Sequence, residues 1–391
     1  MKKLIFVNSH PIQYFAPMYR YMSNQGLALA AWYASAGVVH GGYDKEFGVA
    51  IQWDIPLLDG YEYRIFRNNS WKPSHATGFW GLMNFSMITE LFRTPKSVLA
   101  LHGWHYFTHF AIIMLGKLAG HTICLRNDMP LSHEAYKKGW KQRLKQFSLK
   151  HIVFPRINYF LYIGEQNRLF YKSYGIADDR LVSCPYAVDN ERFDNDAAAL
   201  DDCRAMLGIP PADKVILYSA KYISKKRPLD LIRAFHRLNA ANCWLVMVGE
   251  GELRPQMEQY IAEHQLKRVI LTGFVNQQAI PSYYAASNVF VMCSSLGENW
   301  GLSVNEAMNF DLPVIASDLT GCSDDLVTDG SNGYVFKTGD VTDLTTKLEK
   351  VLLGDELSWQ PGSKAIITSY SYSTILDNML SIPELKGELA R

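Results

Sequence analysis

No stretch of this chain reaches the roughly 18 to 20 consecutive apolar residues that a membrane-spanning helix needs, which leaves a soluble or peripheral protein. Charge of one sign is also missing. Lys and Arg total 39 against 38 Asp and Glu, so the global charge argues against a protein whose main partner is nucleic acid, and any basic surface must be local. The six cysteines, Cys124, Cys184, Cys203, Cys243, Cys293 and Cys322, contain no CxxC pair. Several lie in apolar strand-like runs, which reads as buried reduced thiols in a cytoplasmic protein. The opening MKKLIFVNSHPIQY lacks a small-residue cleavage site and runs at once into charge and proline, so it reads as a first strand rather than a signal peptide. There is no D-x-D cluster flanked by a strand that would demand Mg²⁺, and no repeat or low-complexity segment stands out.

What the chain does have is apolar residues in quantity, 48% over 391 residues, enough for two cores. Strand-like runs alternate with longer amphipathic segments: KLIFVNS, LALAAWYAS, SVLALHG, HTICLRN and YFLYIGE in the first half. After a polar stretch from Asp189 to Asp202 the alternation restarts with KVILYSA, CWLVMVG, RVILTGF, NVFVMCS and PVIASD. This is the pattern of two doubly wound α/β domains, predicted here at 1–195 and 196–369. A helical stretch STILDNML lies in the remaining segment of about 370–391. Parallel strands deliver their trailing loops to one sheet edge, so ligands are expected at the carboxyl ends of the strands, in a cleft between two facing domains.

Glu298 and Glu306 stand eight positions apart in GENWGLSVNEAMN, across a glycine between the buried strand NVFVMCSS and the helix LSVNEAMNF. A strand, a glycine turn and a helix start suit a diphosphate, with Glu306 accepting from ribose hydroxyls and Glu298 facing a sugar. Ser303 and Glu306 also fit an S-x-x-E capping box, which needs no ligand. Lys221 and Lys226 sit in KYISKKRPLDLIRAF, on a loop leading to a helix that opens at Pro228, and both amines suit phosphate oxygens, with Lys225 and Arg227 as competitors. Gly249, Gly251 and Gly273 close two further strands, where backbone can pass near a base or phosphate or simply turn.

Taken as a set, these residues resemble the retaining glycosyltransferases of the two-domain GT-B fold, family 4, most firmly over about 215–340. The resemblance implies that Lys221 and Lys226 are the phosphate-binding basic pair, that Glu306 binds the ribose, and that Glu298 with the backbone of Asn299, Trp300, Gly301, Leu302 and Ser303 holds sugar and phosphates. It also implies that Gly273, Phe274 and Val275 border the base near Gly249. Lysine at 221 departs from the more usual arginine, keeping the charge but not the bidentate geometry. The first domain becomes the acceptor side, carrying HGW from His102, CLRND from Cys124 and PYAVDNERF from Pro185. Where many members have a histidine over the donor sugar, this chain has Arg126 or Asn127. Asp128 is the nearest carboxylate and a candidate catalytic group, with a turn or helix-cap role as the alternative. His102 and His105 are acceptor-side candidates against a structural reading, and His10 and Gln13 replace a glycine-rich first turn. The closing segment would cross back onto the first domain, and hinge closure would exclude water from the reactive sugar.

One local basic surface is present. In AYKKGWKQRLKQFSLKH, cations at Lys137, Lys138, Lys141, Arg143, Lys145 and Lys150 accompany Tyr136, Trp140, Leu144 and Phe147 at helical spacing. Residues 136–151 therefore fit either an anionic membrane face or an amphipathic helix docking its stripe into the core.

The expected function is transfer of a sugar from a nucleoside diphosphate donor, UDP- or GDP-linked, to a glycan or lipid-linked acceptor, with retention, no metal and no other cofactor, in surface polysaccharide synthesis on the inner face of the cell membrane. A nucleotide-sugar epimerase would share the fold but wants several cleft carboxylates. A non-catalytic nucleotide-sugar or glycan-binding protein is the other alternative.

Overall fold

The computed structural model describes residues 2–37, 39, 41–44, 46–193, 203–354 and 362–387. Most of the predicted domain boundary in Asp189 to Asp202 lies outside the described residues, as does the end of the closing segment. The strands are β1 Leu4–Asn8, β2 Leu29–Tyr33, β3 Gly42–Asp44, β4 Val49–Ile51, β5 Glu62–Ile65, β6 Val98–His102, β7 Thr122–Arg126, β8 Tyr159–Tyr162, β9 Leu181–Ser183, β10 Lys214–Ser219, β11 Cys243–Val248, β12 Val269–Gly273, β13 Val289–Met292, β14 Val314–Ser317 and β15 Gly333–Phe336.

The chain gathers into two units, Met1–His40 with Pro56–Tyr186 and Tyr372–Arg391, and Gly41–Ile55 with Ala187–Ser371. The first holds a seven-stranded sheet in the order β5-β2-β1-β6-β7-β8-β9 and the second a six-stranded sheet in the order β12-β11-β10-β13-β14-β15. Every pairing within these two sheets is parallel. Strands covered on both faces need apolar side chains at successive positions rather than at alternate ones. LIFVN of β1 and VFVM of β13 meet that need, with all residues buried. In each sheet the first strand of the series sits centrally and the order reverses beside it, between β1 and β6 and between β10 and β13. Such reversals leave a crevice at the carboxyl ends of the strands.

The helix Leu302–Met308 follows β13, and Pro228–Leu238 follows β10 with proline at its first turn, as the sequence suggests. Residues 136–151 are helical only from Trp140, because Gly139 at φ 99° interrupts the pattern. That helix, Trp140–Ser148, buries none of its residues, so the expectation of an apolar stripe docked in the core does not hold. The closing helix Tyr372–Met379 belongs to the first unit, where Tyr372 meets the ring of Tyr21 at 6.0 Å. Further on, the carbonyl of Glu384 accepts from the Lys2 backbone N–H at 3.1 Å, and its carboxylate accepts from Thr122 Oγ1 at 2.9 Å. The sequence places all residues to 195 in one domain, whereas the antiparallel β3–β4 hairpin packs with the second unit. No helix among the described residues is long and apolar enough to cross a membrane.

Candidate functional site

In the second unit the loops leaving β10 and β13 are neighbours because their strands are. The Ser295 backbone N–H donates to the Lys225 carbonyl at 2.7 Å and Ser295 Oγ to the same oxygen at 3.1 Å, stitching the loops together. Lys226 Nζ and a Glu298 carboxylate oxygen are thereby brought into direct contact, with Ser294 Oγ donating to the same oxygen at 3.2 Å. The two side chains are only 15% and 12% exposed, so each charge depends on the other for compensation. The Glu298 loop is braced from behind: its carbonyl accepts from Gly321 N–H at 3.0 Å and that of Trp300 from Cys322 N–H at 3.0 Å. A side chain at 321 would put Cβ 1.9 Å from the Asn299 carbonyl oxygen, so only glycine permits this approach. Gly249, at φ 150°, plays the same part beside the Lys221 loop, where a Cβ would lie 2.0 Å from the Ala220 oxygen.

Glu306 is buried on the helix Leu302–Met308 and accepts from Tyr284 Oη at 2.7 Å. The capping-box reading fails, because the residue before the first helical turn is Gly301, at φ 107°, and no side chain caps the helix. Trp300 is turned inward, its indole N–H donating to Asn305 Oδ1 at 2.8 Å. Of the competing cations, Arg227 is committed to Asp230 at 2.6 Å.

Lys221 is already engaged. The β3–β4 hairpin brings Asp44 to it at 3.1 Å, Glu46 at 2.8 Å and the Phe47 ring beneath its ammonium at 4.6 Å. Burial alone would push the Asp44 pKa up, but bonds from Phe47 N–H and Lys221 outweigh it and hold the carboxyl below its usual range. The Lys221 hydrogen bond does the same for Glu46 against a smaller burial effect. The hairpin segment also reaches the β12 exit. Phe274 meets Phe47 and Trp53 at ring distances of 5.3 and 6.1 Å, while Asn276 Nδ2 donates to the Gln52 carbonyl at 2.7 Å.

In the first unit, His102 ends β6, half-buried between Phe6 and Phe15 and 3.4 Å from Tyr19 Oη. Burial, then Arg126 and His109, force its pKa well below the usual imidazole value, so it is neutral. His105 is lowered by burial, which Asp128 opposes. His10 stacks on His75 at 4.4 Å, and burial with that neighbour lowers its pKa to about 4. Gln13 is half-buried in the following turn. Arg126 ends β7 with its guanidinium between Phe15 and Tyr186, at 5.0 and 4.6 Å, and Nη2 donates to the carbonyls of Cys184 and Pro185. Asp128 accepts from Tyr186 Oη at 3.4 Å. The turn role considered for it falls instead to Asn127, whose Oδ1 takes the Met129 N–H at 2.7 Å.

Residues 201–367, which carry Lys221, Lys226, Glu298 and Glu306, match the family described as Glycosyl transferases group 1. That match falls within the second unit. Among curated relatives, the alpha-D-kanosaminyltransferase of Streptomyces kanamyceticus is 28% identical over 174 residues, 43% of this chain and 45% of that protein. The poly(ribitol-phosphate) alpha-N-acetylglucosaminyltransferase of Staphylococcus aureus is 31% identical over 138 residues, 34% of this chain and 27% of that protein. The chain thus spans less than half the length of these relatives. HepE of Anabaena, solved with UDP and glucose, is similar in fold across 97% of this chain and 99% of its own, with a TM-score of 0.73 at 14% identity. Sucrose-phosphate synthase from Thermosynechococcus elongatus covers 97% and 98% at a TM-score of 0.70 and 16% identity. The fold is GT-B.

Within the matched residues the structure joins Lys226 to Glu298 and gives Glu306 Tyr284 as a partner. Sequence reading misses Tyr284 and Ser294, which hold the two glutamates, and Asp44, Glu46, Phe47 and Trp53, which reach Lys221 and Phe274. Tyr284 and Ser294 lie among ordinary core residues, and nothing in DKEFGVAIQWD signals a contact 177 positions away.

Proposed function

We propose that the chain is a retaining glycosyltransferase that moves a sugar from a nucleoside diphosphate donor to a glycan or lipid-linked acceptor. The observation that carries this reading is the Lys226–Glu298 pair at the strand-order reversal of a group 1 domain, with buried Glu306 on the helix that follows. Glu306 binds the donor ribose, and Gly273, Phe274 and Val275 border the base beside Gly249. The anomeric C–O bond breaks with its electrons leaving on the diphosphate, and Lys221 and Lys226 stabilise that charge, the preorganised electrostatics that dominates such steps. The acceptor oxygen attacks the face the diphosphate leaves, and its proton passes to a departing phosphate oxygen. Glu298 and the backbone of Asn299 to Ser303 orient sugar and phosphate. Asp128 is the carboxylate that assists the reaction, and Arg126, His102, His105, His10 and Gln13 are assigned to the acceptor side.

Two lysines supply the neutralisation that a metal ion gives in other transferases, so the reaction is metal-independent. Activity, followed as acceptor-dependent nucleotide release from UDP- and GDP-sugars, is expected to survive EDTA. Abolition by EDTA with recovery on adding Mg²⁺ would overturn this assignment, and an inverted anomeric product by NMR would overturn retention. HepE, solved with UDP and glucose, and a relative named for poly(ribitol-phosphate) support the donor and acceptor classes. The exposed basic and aromatic face at residues 136–151 supports peripheral attachment to an anionic membrane.

A further inference from the structure

The basic helix Trp140–Ser148 stands beside a groove of about 520 Å³ within the first unit, a size in the roughly 300–1,000 Å³ range of small-molecule sites. Its lining runs from core to surface. Phe170 is 1% exposed, Leu131 and Tyr174 are half-buried, and Phe147 is 58% exposed. The helix continues into a π-helical turn, Leu149–Val153, which buries Leu149 and Val153 and leaves the groove residue Lys150 in solvent.

Cations outnumber carboxylates around this groove. Residues 136–151 contain no Asp or Glu. The lining carboxylate, Glu134, is saturated, with Lys137 on Oε1 at 2.6 Å and Gln142 and Lys145 on Oε2 at 2.6 and 2.7 Å. Those bonds also hold the helix beside the groove. Lys138, Arg143 and Lys150 have no ion-pair partner among the described residues, and Trp140 and Leu144 are 70% and 58% exposed. An apolar slot edged by uncompensated cations is complementary to an amphiphile with an anionic head and a hydrocarbon tail. A bare anion would gain nothing from Phe170, and a neutral lipid nothing from the cations.

We propose that the groove takes one hydrocarbon chain of an anionic membrane lipid, while Lys150 and its neighbouring cations hold the headgroup. This rests on the membrane contact proposed above and adds that a lipid chain leaves the bilayer for the protein.

The test uses vesicles of phosphatidylcholine containing a phosphatidylglycerol with a photoactivatable diazirine on one acyl chain. Phe170 is the reporter, because at 1% exposure it cannot reach a bilayer from the surface and labels only if a chain enters. Adducts on the peptide carrying Phe170 are expected, lost several-fold in Ser173→Trp, which fills the groove from an exposed position, while vesicle co-sedimentation of that variant is unchanged. Adducts confined to Trp140 and Leu144, indifferent to Ser173→Trp, would overturn the groove and leave membrane attachment standing. Equal labelling of Phe170 from a phosphatidylcholine probe would overturn the choice of an anionic lipid. Failure to co-sediment at low salt would overturn both readings.

Discussion

Lys226 and Glu298 show how one side chain sets the state of another. Because both are largely removed from water, Lys226→Ala leaves Glu298 uncompensated, and a loss of about 1–3 kcal/mol in stability is expected together with a fall in kcat of about 100-fold or more. Urea unfolding and steady-state kinetics would separate the two effects, and an unchanged kcat would remove Lys226 from the chemistry. Glu306→Gln keeps the Tyr284 bond, since an amide oxygen still accepts, but weakens acceptance from ribose hydroxyls. Nucleoside diphosphate affinity is expected to fall by about tenfold, roughly the loss of one charge-assisted hydrogen bond, with Tm little changed. Calorimetric titration checks it, and equal affinity would return Glu306 to a purely structural role.

The β3–β4 hairpin sets a competition at Lys221, because Asp44 and Glu46 already occupy the ammonium proposed for phosphate. Asp44→Asn combined with Glu46→Gln is expected to tighten nucleoside diphosphate binding several-fold. Both carboxyls titrate below their usual range, so the gain should be constant between about pH 5 and 8. A variant that binds no tighter would show that phosphate does not displace the hairpin. This element also marks how far the sequence can be read. Parallel strands and the loops they position follow from local pattern: β10, β13 and the helix Pro228–Leu238 are legible, and with them the meeting of Lys226 and Glu298. The hairpin is not, because three-residue strands carry too little periodicity and its partners lie some 175 residues on. Gly139 shows the opposite error, since the cation and aromatic spacing of 136–151 continues across a residue whose backbone, at φ 99°, leaves the helix.

For the molecule as a whole, histidines with lowered pKa values couple folding to pH. His10 and His109 each have a pKa lowered by burial to about 4, with His75 and His105 adding to it. An unfolded chain takes up those protons near pH 6.5, so between about 6.5 and 4 the unfolded state binds more protons and stability rises with pH. Tm is expected to fall steadily as pH drops through that window, and His10→Asn should flatten the slope; a Tm flat from pH 6.5 to 4.5 would contradict it. The two units were unequally legible. The second unit declares itself through charged residues on consecutive loops, whereas in the first unit no local pattern announces that Arg126 is tied to the carbonyls of Cys184 and Pro185.

Neither unit is a continuous piece of chain. The second includes Gly41–Ile55 and the first includes Tyr372–Met379, so neither has all its parts until synthesis has passed residue 371. The hairpin is made early, yet it must wait for β10 and β12 before Asp44 and Trp53 find Lys221 and Phe274. Contacts of such long sequence separation slow folding, and an intermediate that closes one unit first would hold the other's missing strands exposed. A fragment of residues 187–371 expressed alone would therefore lack the hairpin whose Asp44 and Glu46 hold Lys221.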